Sequence, residues 1–206
     1  MSTVFFDIDS QLDFLYPAGA LYVPGAEGIV PAIARLNRFA AQHGIPVIST
    51  TDAHSEDDPE FKVWPHHCVA GTLGQRKAEG TLLEKRVVIP NCECNLAAAD
   101  GAQQIIVEKQ TVDVFLAPNL ARLIERLAAE QCVVYGVVTE ICVLYAVRGL
   151  LKMGRAVTVV TDAVETLKHE DGDRAFEEMR AGGAKLVKAG EIYTGPAGRP
   201  AGRQPA

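Results

Sequence analysis

The chain has 206 residues, 48% hydrophobic and 22% charged, which is enough for one well-buried domain and too few for two full ones. With 20 Lys and Arg against 26 Asp and Glu, the formal net charge is -6, and the basic residues are scattered, which argues against nucleic acid as a partner. No run approaches the ~20 apolar residues of a membrane helix, and the five cysteines include no CxxC pair, so reduced thiols are expected in place of a disulfide framework.

The N-terminal MSTVFFDIDS lacks the basic start and small-residue cleavage site of a signal peptide, so a cytoplasmic location is expected. Short runs rich in β-branched residues alternate with segments of helical period, the pattern of an α/β domain around a mostly parallel, about six-stranded sheet. In chain order, Val4–Ile8 reads as the first strand. The segment Gly25–His43 follows as a helix, with Ile29, Ile33, Leu36 and Phe39 at helical spacing and Gly44 as its stop. Pro46–Thr51 is the second strand. Residues 71–95 break the rhythm as an excursion that holds one further short strand, Arg86–Ile89. Gln104–Val107, Cys132–Val138, Ala156–Thr161 and Ala184–Val187 complete the strands, and Pro118–Ala129, Glu140–Met153 and Val164–Ala181 the helices. Residues 1–194 are assigned to one domain, and the Gly/Pro-rich 195–206 to a flexible tail.

A parallel sheet places ligands at the carboxyl ends of its strands, and Asp9, Asp52, His54, Lys109 and the Thr139–Cys142 turn all fall there. Cys142 opens a helix, where the macrodipole and free N–H groups favour the nucleophilic thiolate and could hold an oxyanion. Asp9 ends a strand and can accept and return a proton if a nearby cation tunes it, and Lys109 ends another strand as that cation. Asp52 and His54, two residues apart on extended chain, point the same way. A second imidazole comes from Trp64-Pro65-His66-His67-Cys68, and Glu56, Asp57, Asp58 and Glu60 lie between. Carboxylate plus imidazole suits a divalent metal, Zn, Mn or Fe. Cys92-Glu93-Cys94 lacks zinc spacing and reads as incidental. Phe14, Trp64 and Phe115 are close in sequence to these groups and are candidate pocket walls.

In this order the motifs resemble those of the isochorismatase-like cysteine hydrolases, and among them the nicotinamidase branch. Asp9-Ser10-Gln11-Leu12-Asp13-Phe14 is similar to D-x-Q-N-D-F, with Leu12 in place of Asn. Thr51-Asp52-Ala53-His54 resembles the D-x-H metal element, and the run from Trp64 to Gly74 resembles W-P-x-H-C-x-x-G-T-x-G. Val107-Glu108-Lys109 matches the catalytic-lysine strand. The run from Gly136 to Val143 resembles G-x-x-T-D-x-C-V, with Glu140 in place of Asp.

The resemblance implies a three-layer α-β-α fold and a catalytic set of Asp9, Lys109 and Cys142. It also implies a cis peptide between Val137 and Val138, with the N–H groups of Val138 and Cys142 forming the oxyanion hole. A divalent metal would sit on Asp52, His54 and His67, with the further carboxylate open among Glu60, Asp57 and Glu56 and Glu60 at the matching position. The implied activity is hydrolysis of the small-molecule amide nicotinamide to nicotinate and ammonia through a Cys142 thioester. The substrate ring would rest between Phe14 and Trp64, with Phe115 and Val137 as further contacts. The alternatives are another small amide, such as an N-carbamoyl or ureido compound, and a catalytically silent binding protein. A homo-oligomer is expected on the same ground.

Overall fold

The segment TVFFDI forms β1 (Thr3–Ile8), and Val4, Phe5, Phe6 and Ile8 are at most 1% exposed. A strand buried on both faces belongs inside a parallel sheet, and β1 lies at its middle. The computed structural model describes residues 2–194; the expected tail, 195–206, lies outside the described residues.

The other strands are β2 (Val47–Asp52), β3 (Arg86–Ile89), β4 (Gln104–Lys109), β5 (Gln131–Gly136), β6 (Ala156–Val164) and β7 (Lys185–Val187). They pair in the order β3-β4-β2-β1-β5-β6-β7, every pair parallel. The helices are α1 (Leu12–Leu15), α2 (Val30–Gln42), α3 (Leu120–Arg126), α4 (Leu144–Lys152), α5 (His169–Ala181) and α6 (Ala189–Thr194). Helices α2 and α6 touch each other, and α2 packs over β1 and β2, while α4 and α5 touch each other and pack against β5, β6 and β7. The fold is the expected three-layer α/β arrangement. Its sheet has seven strands, because Arg86–Ile89 pairs with β4 as an edge strand.

Three expected helices change at their starts, the one expected from Gly25 opening with a short 3-10 turn, Ala26–Ile29, and becoming α-helical only at Val30. Val164, the expected start of the helix Val164–Ala181, instead finishes β6, where it pairs with Gly136 after a shift in the β5–β6 register. Helix α5 therefore begins at His169, and Glu170 and Asp171 place acid in its first turn, where the helix dipole favours it. The helix expected from Glu140 opens instead with a π-helical turn, Thr139–Val143, before α4. Among the described residues, no helix is long and apolar enough to cross a membrane.

From β1 the chain passes to β2, reaches the edge at β3, returns to β4, and then crosses to the other side of β1 for β5. That reversal opens a crevice beyond the carboxyl ends of β1 and β5, the usual ligand position in such sheets.

Candidate active site

Four neighbouring strands, β4, β2, β1 and β5, each deliver one candidate group to this crevice. Asp9 follows β1 with φ 46°, a left-handed backbone that Asp tolerates better than most residues. Its Oδ1 accepts from the Thr50 hydroxyl at 2.5 Å. Its Oδ2 lies 3.0 Å from the Lys109 ammonium, yet no donor is aligned on it although it is buried. A carboxylate oxygen is thus left with room for a proton.

Lys109 ends β4 opposite Asp52 of β2 in the register. Its Nζ contacts Asp52 Oδ1 and lies 3.8 Å from Cys142 Sγ. Burial works against the ammonium charge, but Asp52, Asp9 and Cys142 outweigh it and hold the pKa well above the usual lysine range.

Cys142 sits in the π-helical turn that follows β5. The Val138 carbonyl accepts from the N–H groups of Ile141 and Val143, at i+3 and i+5. The Val137–Val138 peptide is cis, as the resemblance implies. Gly136 precedes it at φ 120°, where a Cβ would stand 2.1 Å from the Ile8 carbonyl oxygen, so only glycine fits. A helix N-terminus alone predicts a thiolate at Cys142. Here burial pushes the thiol pKa well up; Lys109 opposes this, and the Asp9 and Asp52 charges reinforce it. Burial and the two carboxylates thus work against the thiolate that a helix N-terminus alone would favour.

Asp52, His54 and His67 offer ligand atoms that all lie within 4.8 Å of one another. The two imidazoles are oriented alike. His54 Nδ1 lies 3.0 Å from Asp58 Oδ2, and His67 Nδ1 lies 2.7 Å from the Pro65 carbonyl oxygen. Both partners are acceptors, so each Nδ1 carries the proton and each Nε2 keeps its lone pair. Both Nε2 atoms are 3.9 Å from Asp52 Oδ2, and that of His54 is buried without a hydrogen-bond partner. An orphaned imidazole nitrogen beside a second imidazole and a carboxylate fits a divalent cation. The charge balance points the same way, since Asp9 and Asp52 share the single ammonium of Lys109. Burial pushes the Asp52 carboxyl up to about 7, with Lys109 opposing and Asp9 adding to it.

Of the three carboxylates left open, Glu56 and Asp57 are exposed, whereas Glu60 is half-buried in the cleft wall. Glu60 is outside the cluster of mutually close ligand atoms, and burial raises its pKa. Cys92 is exposed, Cys94 is half-buried, and neither joins the cluster.

The cleft opens to solvent and is lined mostly by apolar side chains with a few polar groups among them, the composition usual for small-molecule sites. Phe14, Trp64, Val137, Val138 and Cys142 line it, joined by Leu21, Val23, Val112, Ile141 and Leu167. Phe115 is not in this lining. Its ring lies against Gly149 of α4, where a Cβ would stand 2.1 Å from it, and Val112 of the same segment reaches the cleft instead.

Several supporting residues escape a reading by strand ends. Gln11 clamps the Asp52 backbone, accepting from its N–H at 2.7 Å and donating to its carbonyl at 2.8 Å. Asp13 accepts from the Cys68 N–H at 2.7 Å and the Ala20 N–H at 2.9 Å. Glu140 accepts from the Thr166 hydroxyl and the Leu167 and Lys168 N–H groups, and so holds the loop that brings Leu167 to the cleft. Gln11 and Asp13 lie inside the first motif, which was the only available signal. For Asp58 the only signal was its place four residues after His54.

The chain is 26% identical to the nicotinamidase of Escherichia coli K12, over 87% of this chain and 91% of that protein. It is 23% identical to a probable inactive nicotinamidase of Arabidopsis thaliana, over 89% of this chain and 91% of that protein. Among solved structures, the pyrazinamidase of Pyrococcus horikoshii in complex with zinc superposes with a TM-score of 0.78 at 29% identity, covering 91% of this chain and 99% of that one. The Isochorismatase domain matches residues 3–191, nearly all of the described chain, and the protein belongs to the isochorismatase family.

Proposed function

We propose that the chain is a cysteine amidohydrolase that converts nicotinamide and water to nicotinate and ammonia. The observation that carries this reading is the open Oδ2 of Asp9, held 3.0 Å from Lys109 and next to the buried Cys142 thiol. Asp9 takes the thiol proton while Lys109 stabilises the sulfur as it becomes anionic. The sulfur attacks the carboxamide carbon, and the N–H groups of Val138 and Cys142 receive the oxyanion. As the tetrahedral intermediate collapses, the C–N bond breaks, Asp9 protonates the departing ammonia, and a Cys142 thioester remains. Asp9 then removes a proton from water, which attacks the thioester and releases the carboxylate and the thiol.

Asp52, His54 and His67 would hold a divalent metal, with Glu60 beside them. When bound, such an ion supplies a Lewis-acid contact that orients a ring nitrogen. Phe14 and Trp64 line the cleft and would flank a flat ring there, and the Phe14 ring lies 5.4 Å from that of His67 at an interplanar angle of 55°. Among the described residues, the cleft lining includes no Arg or Lys. That favours an uncharged amide over an N-carbamoyl amino acid, whose carboxylate needs a cationic partner. All five cysteines are unpaired, which supports a reducing, cytoplasmic setting.

The test is ammonia release from nicotinamide and a panel of ureido and N-carbamoyl compounds, with and without a chelator. Nicotinamide should be the preferred substrate, and Cys142→Ala should abolish turnover while metal content stays normal. Turnover in a clean Cys142→Ala preparation would sink the mechanism. Preference for an N-carbamoyl compound would sink the substrate, and no turnover of any amide would favour a silent member.

A further inference from the structure

Asp7 lies two residues before Asp9 on β1 and is fully buried among apolar strands. Its Oδ1 accepts from the Ser10 hydroxyl at 2.7 Å. Its Oδ2 accepts from Asn37 Nδ2 at 2.9 Å and the Ser49 hydroxyl at 3.2 Å, and lies 3.1 Å from Lys77 Nζ. Lys77 belongs to the excursion segment, is itself only 6% exposed, and donates to Ser10 Oγ at 2.6 Å. The Ser10 hydroxyl is therefore held from both sides, giving its proton to Asp7 and receiving one from Lys77. None of these three groups reaches the cleft lining.

Ser10 is the middle of a tight turn. The Gln11 N–H bonds to the Asp9 carbonyl at 2.7 Å, across one residue. One flank of the turn carries Asp9 at φ 46°, and the other carries Gln11, which clamps Asp52. The same segment is pinned to the excursion by the Ala78 N–H on the Ser10 carbonyl at 2.9 Å and by the Gln11–Lys77 bridge. A left-handed Asp next to a one-residue turn persists only where its surroundings over-determine it. Asp7, Lys77 and Ser10 provide that determination from beneath.

We propose that Asp7, Lys77 and Ser10 form a buried positioning group that fixes the Asp9–Gln11 turn and thereby aims the Asp9 carboxylate at the Cys142 thiol. This rests on the reading of Asp9 as the proton acceptor. The group is not catalytic, since it touches neither the cleft nor the sulfur. Its effect is on how often Asp9 Oδ2 stands where the proton must go, and a misplacement of about 1 Å in such a pair costs on the order of a hundredfold in rate.

Ser10→Ala tests it with little risk to folding, because the Asp7–Lys77 pair stays intact. Asp7→Asn combined with Lys77→Gln is the second variant, which keeps amide-sized hydrogen-bonding groups and strands no charge. On the full chain, kcat and KM for ammonia release from nicotinamide are measured with metal content, together with the rate at which iodoacetamide labels Cys142. Both variants should lose at least about tenfold in kcat, with KM and metal content unchanged and with slower Cys142 labelling. Unchanged kcat and labelling in both would overturn the proposal, as would a loss shared equally by KM and metal content. If the wild-type chain releases no ammonia but Cys142 labelling still slows in Ser10→Ala, the substrate assignment falls and the positioning group stands. If the wild-type Cys142 neither turns over nor labels faster than the other thiols, both fall.

Discussion

Replacing Lys109 with Met removes the one cation that two buried carboxylates share. Asp9 Oδ2 lies 3.0 Å from Nζ, and Asp52 Oδ1 touches it as well. At an effective dielectric constant near 20, charges at that separation attract by about 5 kcal/mol. Deleting one partner of a buried pair costs about 3–5 kcal/mol, because the remaining charge is stranded. For a chain of this length each kcal/mol moves Tm by about 2–4 °C, so a fall of roughly 6–20 °C is expected in chelator at neutral pH. Adding Asp52→Asn to Lys109→Met removes one stranded charge. The double variant should then be more stable than the sum of the single effects by about 1–3 kcal/mol. Urea unfolding of the four proteins closes this cycle. Strict additivity, or a Tm within about 2 °C of wild type in Lys109→Met, would refute the shared-cation account and with it the charge argument for a metal.

Asp58→Asn should weaken divalent-metal binding about 10–100-fold by loosening the His54 tautomer, as read by competition with a chromophoric chelator. The Asp52 carboxyl titrates at about 7 in the folded chain against an ordinary 3.8, so the folded state holds its proton more tightly between those values. The stability of the metal-free wild type relative to Asp52→Asn should therefore be greatest near the lower value and decline as pH rises, levelling off above about 7; a flat difference would exclude the shift. Gly136→Ala puts a Cβ 2.1 Å from the Ile8 carbonyl oxygen at φ 120° and should destabilise by about 2–3 kcal/mol, measured from the urea midpoint.

The strand ends were legible because each candidate there is a polar residue closing a run of buried β-branched ones, as Lys109 closes QIIVEK. The helix expected at Val164 was misplaced because apolar periodicity does not distinguish the last residues of a long strand from the first of a helix. A pairing with Gly136, distant in sequence, decided the matter. The metal group was legible in part, since the spacing of Asp52 and His54 is local. The orientation of both imidazoles was not, because Pro65 and Asp58 act through folded loop geometry. Phe115 was misplaced for the same reason: proximity in sequence to Lys109 says nothing about which way a loop turns, and a bare glycine on α4 took the ring.

The cleft walls have a different ancestry in the fold from its floor. Asp9, Lys109 and Cys142 stand on or beside the ends of paired central strands, where a shift of one disturbs the register of the others. Phe14, Leu21, Trp64, Val112 and Leu167 stand outside the strands, on α1 and on loops that face the same space. Leu21, Val112 and Leu167 can therefore change with less effect on the strand-end groups than a change within the strands, whereas Phe14 lies beside Asp13 and the Gln11 clamp on Asp52. A scaffold divided in this way lets selection exchange one ring-binding surface for another in single steps, so the chemistry can be inherited while the choice of amide drifts.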